Sequence, residues 1–327
     1  MNIGLIDADN YKKLEGCYPN IVLMKLSAWH KAHGDNVEWY DHMKAMENIF
    51  TGGYYDKVYV SKVFSFTPEY EFPIYADQVE YGGSGYCISI GKDGKEHYNV
   101  AKDKHLPHEI EHIMPDYSLY GITDTAYGFM SRGCPRGCEF CHVAAKEGQC
   151  AYKVADLSEF WNGQKYIQLM DPNILACREW RDMLQQLVDS KALVEFNQGL
   201  DIRMMTAEKA KMLMRIRIKR IHFAYDRWQD KEMIEPQFRI FSEVTGWDRH
   251  KAMVYCLTNF DSTLVQDMDR VLFLRSLRLA PYIMIYNKQN LPKGDMHFKL
   301  ARWCNNQAFF WKYPTFEDYL ADEKNTH

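Results

Sequence analysis

The sequence predicts an α/β protein in two parts: an open α/β sheet domain, then six strand–helix units on a parallel sheet, closed by a short helical end. Three observations predict it. Near the start, short β-rich runs are separated by one amphipathic stretch and by glycine turns. Farther on, apolar residues recur with helical period between β-rich runs. Most of those later runs return at intervals of about 30 residues, the length of a strand, a crossover helix and two loops.

The first strand is Asn2-Ile-Gly-Leu-Ile-Asp7, followed by a helix within Pro19 to His33 and strands at Val37 to Tyr40 and Lys57 to Phe64. Gly82-Gly83-Ser84-Gly85 marks a tight turn after another β-rich run. It lacks both the Gly-Lys-Ser/Thr ending of a P-loop and the spacing of a dinucleotide loop, so a plain turn is the first reading and a ligand-approach loop the second. From Gly91 to about Tyr120 the pattern loses its period and gains charge, histidine and proline, which suits a connector. The expected division is therefore 1–100, a connector over 101–120, the strand–helix region over 121–290 and a cap over 291–327. Strands begin near Tyr127, Tyr166, Leu193, Ile221, Lys251 and Pro281. Trp180, Met183, Leu184, Leu187 and Val188 form a helical stripe, as do Leu264, Met268, Val271 and Leu272, with Arg275 as a polar break. Whether six right-handed crossovers lie open or curl toward a barrel, chemistry belongs at the C-terminal ends of the strands.

The 327 residues, 46% hydrophobic and 26% charged, exclude a disordered chain and a fibre. Forty basic against forty-four acidic residues, a net charge of -4, give no global field toward nucleic acid or anionic lipid, so any such binding has to be local. No apolar run approaches the roughly 20 residues that span a bilayer, and a cytoplasmic location is expected.

Gly133-Cys134-Pro-Arg-Gly-Cys138-Glu-Phe-Cys141 is a C-x3-C-x2-C loop directly after the first of the six strands. Glycine and proline stop regular structure there, and three close thiolates are soft ligands for iron or zinc. A four-iron cubane held by three cysteines leaves one iron for an outside ligand. A zinc knuckle completed by His142 or Cys150 is the alternative, but the chain has no second knuckle.

With Phe140 just before the third cysteine, this loop resembles that of the radical S-adenosylmethionine superfamily, over about 121–290. The resemblance implies a partial (β/α)6 barrel with Cys134, Cys138 and Cys141 on a [4Fe-4S] cluster whose free iron chelates S-adenosylmethionine. It also implies that the backbone at Phe140 lies near adenine. Reductive cleavage to a 5′-deoxyadenosyl radical, hydrogen abstraction from a substrate, and a flavodoxin or ferredoxin as electron donor are implied with it. Asp171, in Leu169-Met-Asp171-Pro-Asn173, stands where the family often has a Gly-Gly-Glu-like segment on the methionyl ammonium, though the glycines are missing. Asn173, Gln198, Asp201, Arg203 and Asp226, at the ends of the second to fourth strands, are the further cofactor-binding candidates. The competing reading pairs Asp201 with Arg203, or Asp226 with Arg227, merely to tie loops together. Thr258-Asn259 and Tyr286-Asn287 are lining residues, and Cys256 is either a hydrogen donor or packing.

The amino-terminal part resembles a flavodoxin-like, cobalamin-binding domain, which implies a cobalamin-dependent methyltransferase as an alternative function. The family's Asp-x-His-x-x-Gly motif is absent, and the nearest string, Asp103-Lys-His105-Leu-Pro-His108, ends differently. Only Cys17 and Cys87 lie in that part and only Cys304 in the tail, which disfavours a second cluster. His108-Glu-Ile-Glu-His112 matches a zinc-peptidase motif, but Pro107 and Pro115 confine it to about two helical turns. Lys209, Lys211, Arg215, Arg217, Lys219 and Arg220 form either a solvated helix face or a stripe for RNA. The alternative of another class is a zinc-stabilised module that binds RNA or protein.

Overall fold

The computed structural model describes residues 1–14, 16–47, 54–91 and 96–325; Thr326 and His327 of the expected cap lie outside these, as do parts of the 1–100 domain. The chain is mixed α/β, in two compact units: Met1–Gly128, Gly133–Cys150 and Val154–Lys165 form the first, and Phe129–Arg132, Ala151–Lys153 and Tyr166–His327 the second. No helix among the described residues is long and apolar enough to cross a membrane.

In the first unit, β1 (Asn2–Asp7), α1 (Ile21–Ala32), β2 (Asn36–Trp39), α2 (His42–Glu47), β3 (Lys57–Ser61) and β4 (Gln78–Gly82) build a four-stranded parallel sheet in the order β2-β1-β3-β4. Asn20 caps α1 by accepting from Leu23 N–H. No helix joins β3 to β4. The strand order reverses between β1 and β3, the arrangement that opens a crevice at strand C-termini. The turn at 82–85 is pressed against its own chain: a Cβ at Gly83, whose φ is +98°, would lie 2.3 Å from the Lys62 carbonyl oxygen. That close approach is internal.

After α3 (Ser84–Cys87), β5 (Ile88–Ile90) and β6 (Glu96–Tyr98), the 101–120 segment with α4 (His108–Glu111) packs inside the first unit rather than standing apart as a connector. Ile110, Leu106 and Leu119 join the core of Ile3, Leu5, Leu23 and Leu26. Asp116 accepts from Ser27 (2.6 Å) and Lys31 (2.7 Å), and the Tyr120 hydroxyl donates to the buried Asp7 (2.6 Å).

The next elements are β7 (Thr125–Gly128), β8 (Ser131–Arg132), α5 (Val143–Glu147) and β9 (Tyr152–Lys153), then β10 (Tyr166–Leu169), α6 (Trp180–Ser190), β11 (Leu193–Asp201), α7 (Ala207–Arg215), β12 (Ile218–Ala224), α8 (Lys231–Thr245), β13 (Ala252–Thr258), α9 (Leu264–Ser276) and β14 (Ala280–Ile285). The six-stranded sheet has the order β14-β13-β12-β11-β10-β7, and β10 to β14 pair in parallel. Strands added in chain order through right-handed crossovers put every helix on one face. Ile167, Val194, Ile221, Phe223, Val254 and Ile283 are buried on that face, where the Phe223 ring meets Phe238 and Phe241 of α8 at 5.8 and 4.8 Å. The alternate residues Gln168, Glu195, Arg220, Tyr255, Tyr282 and Met284 are half-buried or exposed, so the opposite face is open.

The cap is helical: α10 (Met296–Asn305), α11 (Gln307–Lys312) and α12 (Phe316–Asn325) pack on Trp303, whose ring lies 4.9 Å from Phe310 and 5.5 Å from Phe316. Asn305 blunts the edge of β14, accepting from Ile283 N–H (2.7 Å) and donating to Ile283 C=O (3.1 Å).

Candidate functional site

The cysteine loop belongs to the first unit. Gly133 enters it with φ +76°, where a Cβ would lie 2.0 Å from the Cys150 carbonyl oxygen, so only glycine fits. Its N–H donates to Glu147 (3.0 Å), and Cys134 N–H donates to Gly148 C=O (3.2 Å). Cys141 N–H donates to Cys138 C=O (3.0 Å), a turn that sets the second and third cysteines on one bend. Cys134 and Cys138 are half-buried and Cys141 is exposed, and none of the three is in a disulfide. His142 Nε2 lies 3.1 Å from Glu96, which engages one of the two residues expected to complete a zinc site. Among the described residues no three His, Cys, Asp or Glu side chains are gathered to hold a metal ion. The loop therefore presents the donor set without closed metal geometry. Three soft, accessible thiols on one short bend fit a thiolate-ligated cluster by donor chemistry, and such loops close as the metal binds.

The other candidates lie on the second unit, at the C-terminal ends of its strands. Asp171 is buried, and it accepts from Met130 N–H (3.1 and 3.2 Å to its two oxygens), Ser131 N–H (2.5 Å) and Ser131 Oγ–H (2.7 Å). Burial pushes its carboxyl up to about 6 against the pull of those donors. Its carboxylate thus fastens residues 130–131 to the end of β10. Asn173 is buried at the start of the turn Ile174–Ala176.

The third strand, β11, starts at the expected Leu193 and runs on to Asp201. Its register slips between Phe196 and Leu200, where β11 advances four residues against two on β12. Asn197, Gln198 and Gly199 form that bulge, with Gln198 exposed. Asp201 accepts from Arg203 N–H (3.1 Å) and Nε–H (2.6 Å), while Arg203 reaches on to Asp230 (2.8 Å). The Asp201–Arg203 tie is present. Arg227 pairs with Asp261 (2.8 Å) instead of Asp226. Asp226 accepts from Leu257 N–H (3.2 Å), and burial pushes it up to about 6.

A network that sequence reasoning missed lies beneath these ends. Arg270 is fully buried and donates to Tyr225 C=O, to Leu257 C=O (2.6 Å) and to Asp267 (2.5 Å). Asp267 also accepts from Ser262 (2.5 Å) and stands 3.4 Å from His297, whose Nδ1 lies 2.8 Å from Asp295. The i, i+3 spacing of Asp267 and Arg270 on a predicted helix was the available signal.

Other expectations resolve locally. Asn259 donates to Tyr286 C=O (2.9 Å), tying the loop after β13 to the one after β14. Cys256 is buried on the helix-covered face, and burial pushes its thiol up to about 12. The zinc-peptidase string forms a four-residue helix, with His112 2.6 Å from Glu159. The basic stretch is dispersed: Lys209 is buried and donates to Leu175 and Met204 carbonyls (both 2.9 Å), Arg217 donates to Lys191 C=O (2.8 Å), and Lys219 pairs with Glu195 (3.2 Å).

The chain matches no protein-family model and no curated protein.

Proposed function

We propose that the chain is a radical S-adenosylmethionine enzyme in which Cys134, Cys138 and Cys141 hold a [4Fe-4S] cluster. The observation that carries this reading is the C-x3-C-x2-C loop with Phe140, directly after the first strand of a sheet that grows in chain order with its helices on one face. That pattern is the one a partial (β/α)6 barrel requires. When bound, the cluster supplies the electron for reductive cleavage of S-adenosylmethionine, which initiates hydrogen abstraction from a substrate.

The chain's own residues divide the remaining work. The three thiolates neutralise and hold iron, and the backbone at Phe140 borders the adenine. Asn173, Gln198 and Asp226 supply polar contacts to the cofactor; Asp226 accepts one hydrogen bond within the chain. Asp171, Asp201 and Arg203 brace the strand ends through the contacts above, so their influence on the cofactor is through position. The first unit's strand order supports a flavodoxin-like domain, whose sequence lacks the histidine motif of the cobalamin-binding family. An electron donor of flavodoxin or ferredoxin type is part of the proposal.

The test is anaerobic reconstitution with iron and sulfide, followed by incubation with dithionite and S-adenosylmethionine. The expected product is 5′-deoxyadenosine, lost in Cys138→Ala. A colourless protein that holds zinc and forms no 5′-deoxyadenosine overturns the reading in favour of the zinc-stabilised module.

A further inference from the structure

We propose that the loops at the mouth of the first unit's sheet take no cobalamin and instead seat the cysteine loop, with Glu96 as a positioning residue that acts on the cysteines through His142. The proposal deepens the enzyme reading and rests on it only for the cluster that the cysteine loop holds.

In doubly wound sheets a ligand lodges beyond the strand C-termini where the strand order reverses, here beyond β1 and β3. The chain closes that place with its own groups. Ala8 N–H donates to Ser61 C=O (2.9 Å), which carries the β1–β3 pairing past the end of β1. Asp9 accepts from Val63 N–H (2.6 Å) and from the Thr67 hydroxyl, pinning the loop after β3 to the loop after β1. The buried Asn20 donates to Ser61 Oγ (2.8 Å), and the buried Asp7 is engaged by Tyr120. On the other side, Gly85 N–H donates to Lys62 C=O (2.9 Å), and a Cβ at Gly85 would lie 2.7 Å from the Phe64 carbonyl oxygen. The loops after β1, β3 and β4 are thus bonded to one another. Cobalamin requires an open crevice for its nucleotide tail, whose phosphate is an anion. Here the carboxylates of Asp7 and Asp9 stand at the mouth, where a further anion is repelled, and no imidazole takes part in these contacts. The residues present do not fit the group.

The same loops reach the cysteine loop, which belongs to this unit. Helix α5 begins two residues after Cys141, with His142 at its N-cap position. His142 Nε2 lies 3.1 Å from Glu96 on β6, and a carboxylate accepts, so Nε2 carries the hydrogen and donates it. Glu96 is itself fixed by the Ser65 hydroxyl, from the loop after β3. The Tyr98 ring stands 6.3 Å from the His142 ring. Farther along α5, Lys146 Nζ donates to Ser84 Oγ (3.4 Å) in the turn after β4. One chain of contacts therefore runs from Asp9 through the loop of Thr67 and Ser65 to Glu96 and His142. Cys141 N–H donates to Cys138 C=O, so a fixed His142 sets the bend that carries both cysteines. A mouth whose loops are committed in this way is closed to a separate ligand.

The experiment uses the full chain without iron. In the first arm the probe is hydroxocobalamin, followed by its visible absorption through gel filtration. The chain is expected to retain none, and corrinoid that co-elutes with the chain overturns the proposal. In the second arm, amide hydrogen exchange reads the seat at Lys146 and Gly148, whose N–H groups donate to the His142 and Ala144 carbonyls. Glu96→Ala is expected to accelerate both about 5-fold, the factor that one net hydrogen bond is worth. Glu96→Gln keeps an acceptor for His142 and is expected to restore the wild-type rates. Unchanged exchange in Glu96→Ala, equal acceleration in both variants, or acceleration spread over the whole chain overturns the proposal. Neither arm involves iron or S-adenosylmethionine, so failure here is distinguishable from failure of the enzyme reading.

Discussion

Asp171 shows how a strand-end carboxylate is committed by its own chain. It receives two backbone N–H groups and one hydroxyl from residues 130–131. Truncation by Asp171→Ala leaves those buried donors unanswered, and the expected loss of stability is about 2–4 kcal/mol, with Asp171→Asn losing less. Urea denaturation of the three proteins checks the order. Asp226 makes a pH prediction. Its folded carboxyl is raised to about 6, above the unfolded value of about 3.9. Between these values the folded state keeps a proton that the unfolded state releases, so this contribution is fully present below about 4 and lost as pH rises through about 6. Unfolding free energies from pH 4.5 to 7.5 should fall more steeply with rising pH in the wild type than in Asp226→Asn. Equal slopes would contradict the assignment. The sequence places carboxylates at strand tips, and the Asp201–Arg203 tie is readable because the two are neighbours. The Asp171 contact spans about forty positions, and no local pattern announces a bond of that range.

At the scale of elements, the strands of the second unit were legible because buried parallel strands and amphipathic crossover helices both leave strong periods. The bulge was not. Asn197-Gln-Gly199 reads as a strand giving way to a loop, yet β11 resumes and pairs Leu200 with Phe223. The charged, aperiodic 101–120 segment has the sequence character of a connector, but the few apolar residues Leu106, Ile110 and Leu119 suffice to anchor it on a core. The edge of β14 carries its own prediction. Asn305→Ala removes both hydrogen bonds to Ile283, and the expected cost is about 1–3 kcal/mol. Hydrogen exchange at the Ile283 amide should accelerate in that variant; unchanged protection would show that the edge is held by other means.

For the whole molecule, the fold and the chemistry rest on different kinds of signal. Sheet order and helix placement follow from repeated apolar pattern and crossover handedness, which any sequence of this design obeys. The reaction class rests on three cysteines and one aromatic residue in a single loop. Their donor chemistry was legible; their closed arrangement was not, because thiolate loops take final form with the metal. The most direct measurement is electron paramagnetic resonance of the anaerobically reconstituted, dithionite-reduced full chain, with and without S-adenosylmethionine. The account predicts about four irons per chain and a reduced [4Fe-4S] signal that shifts when S-adenosylmethionine is added and is absent in Cys138→Ala. A protein that retains zinc and shows no cluster signal, or a cluster signal indifferent to S-adenosylmethionine, would contradict it.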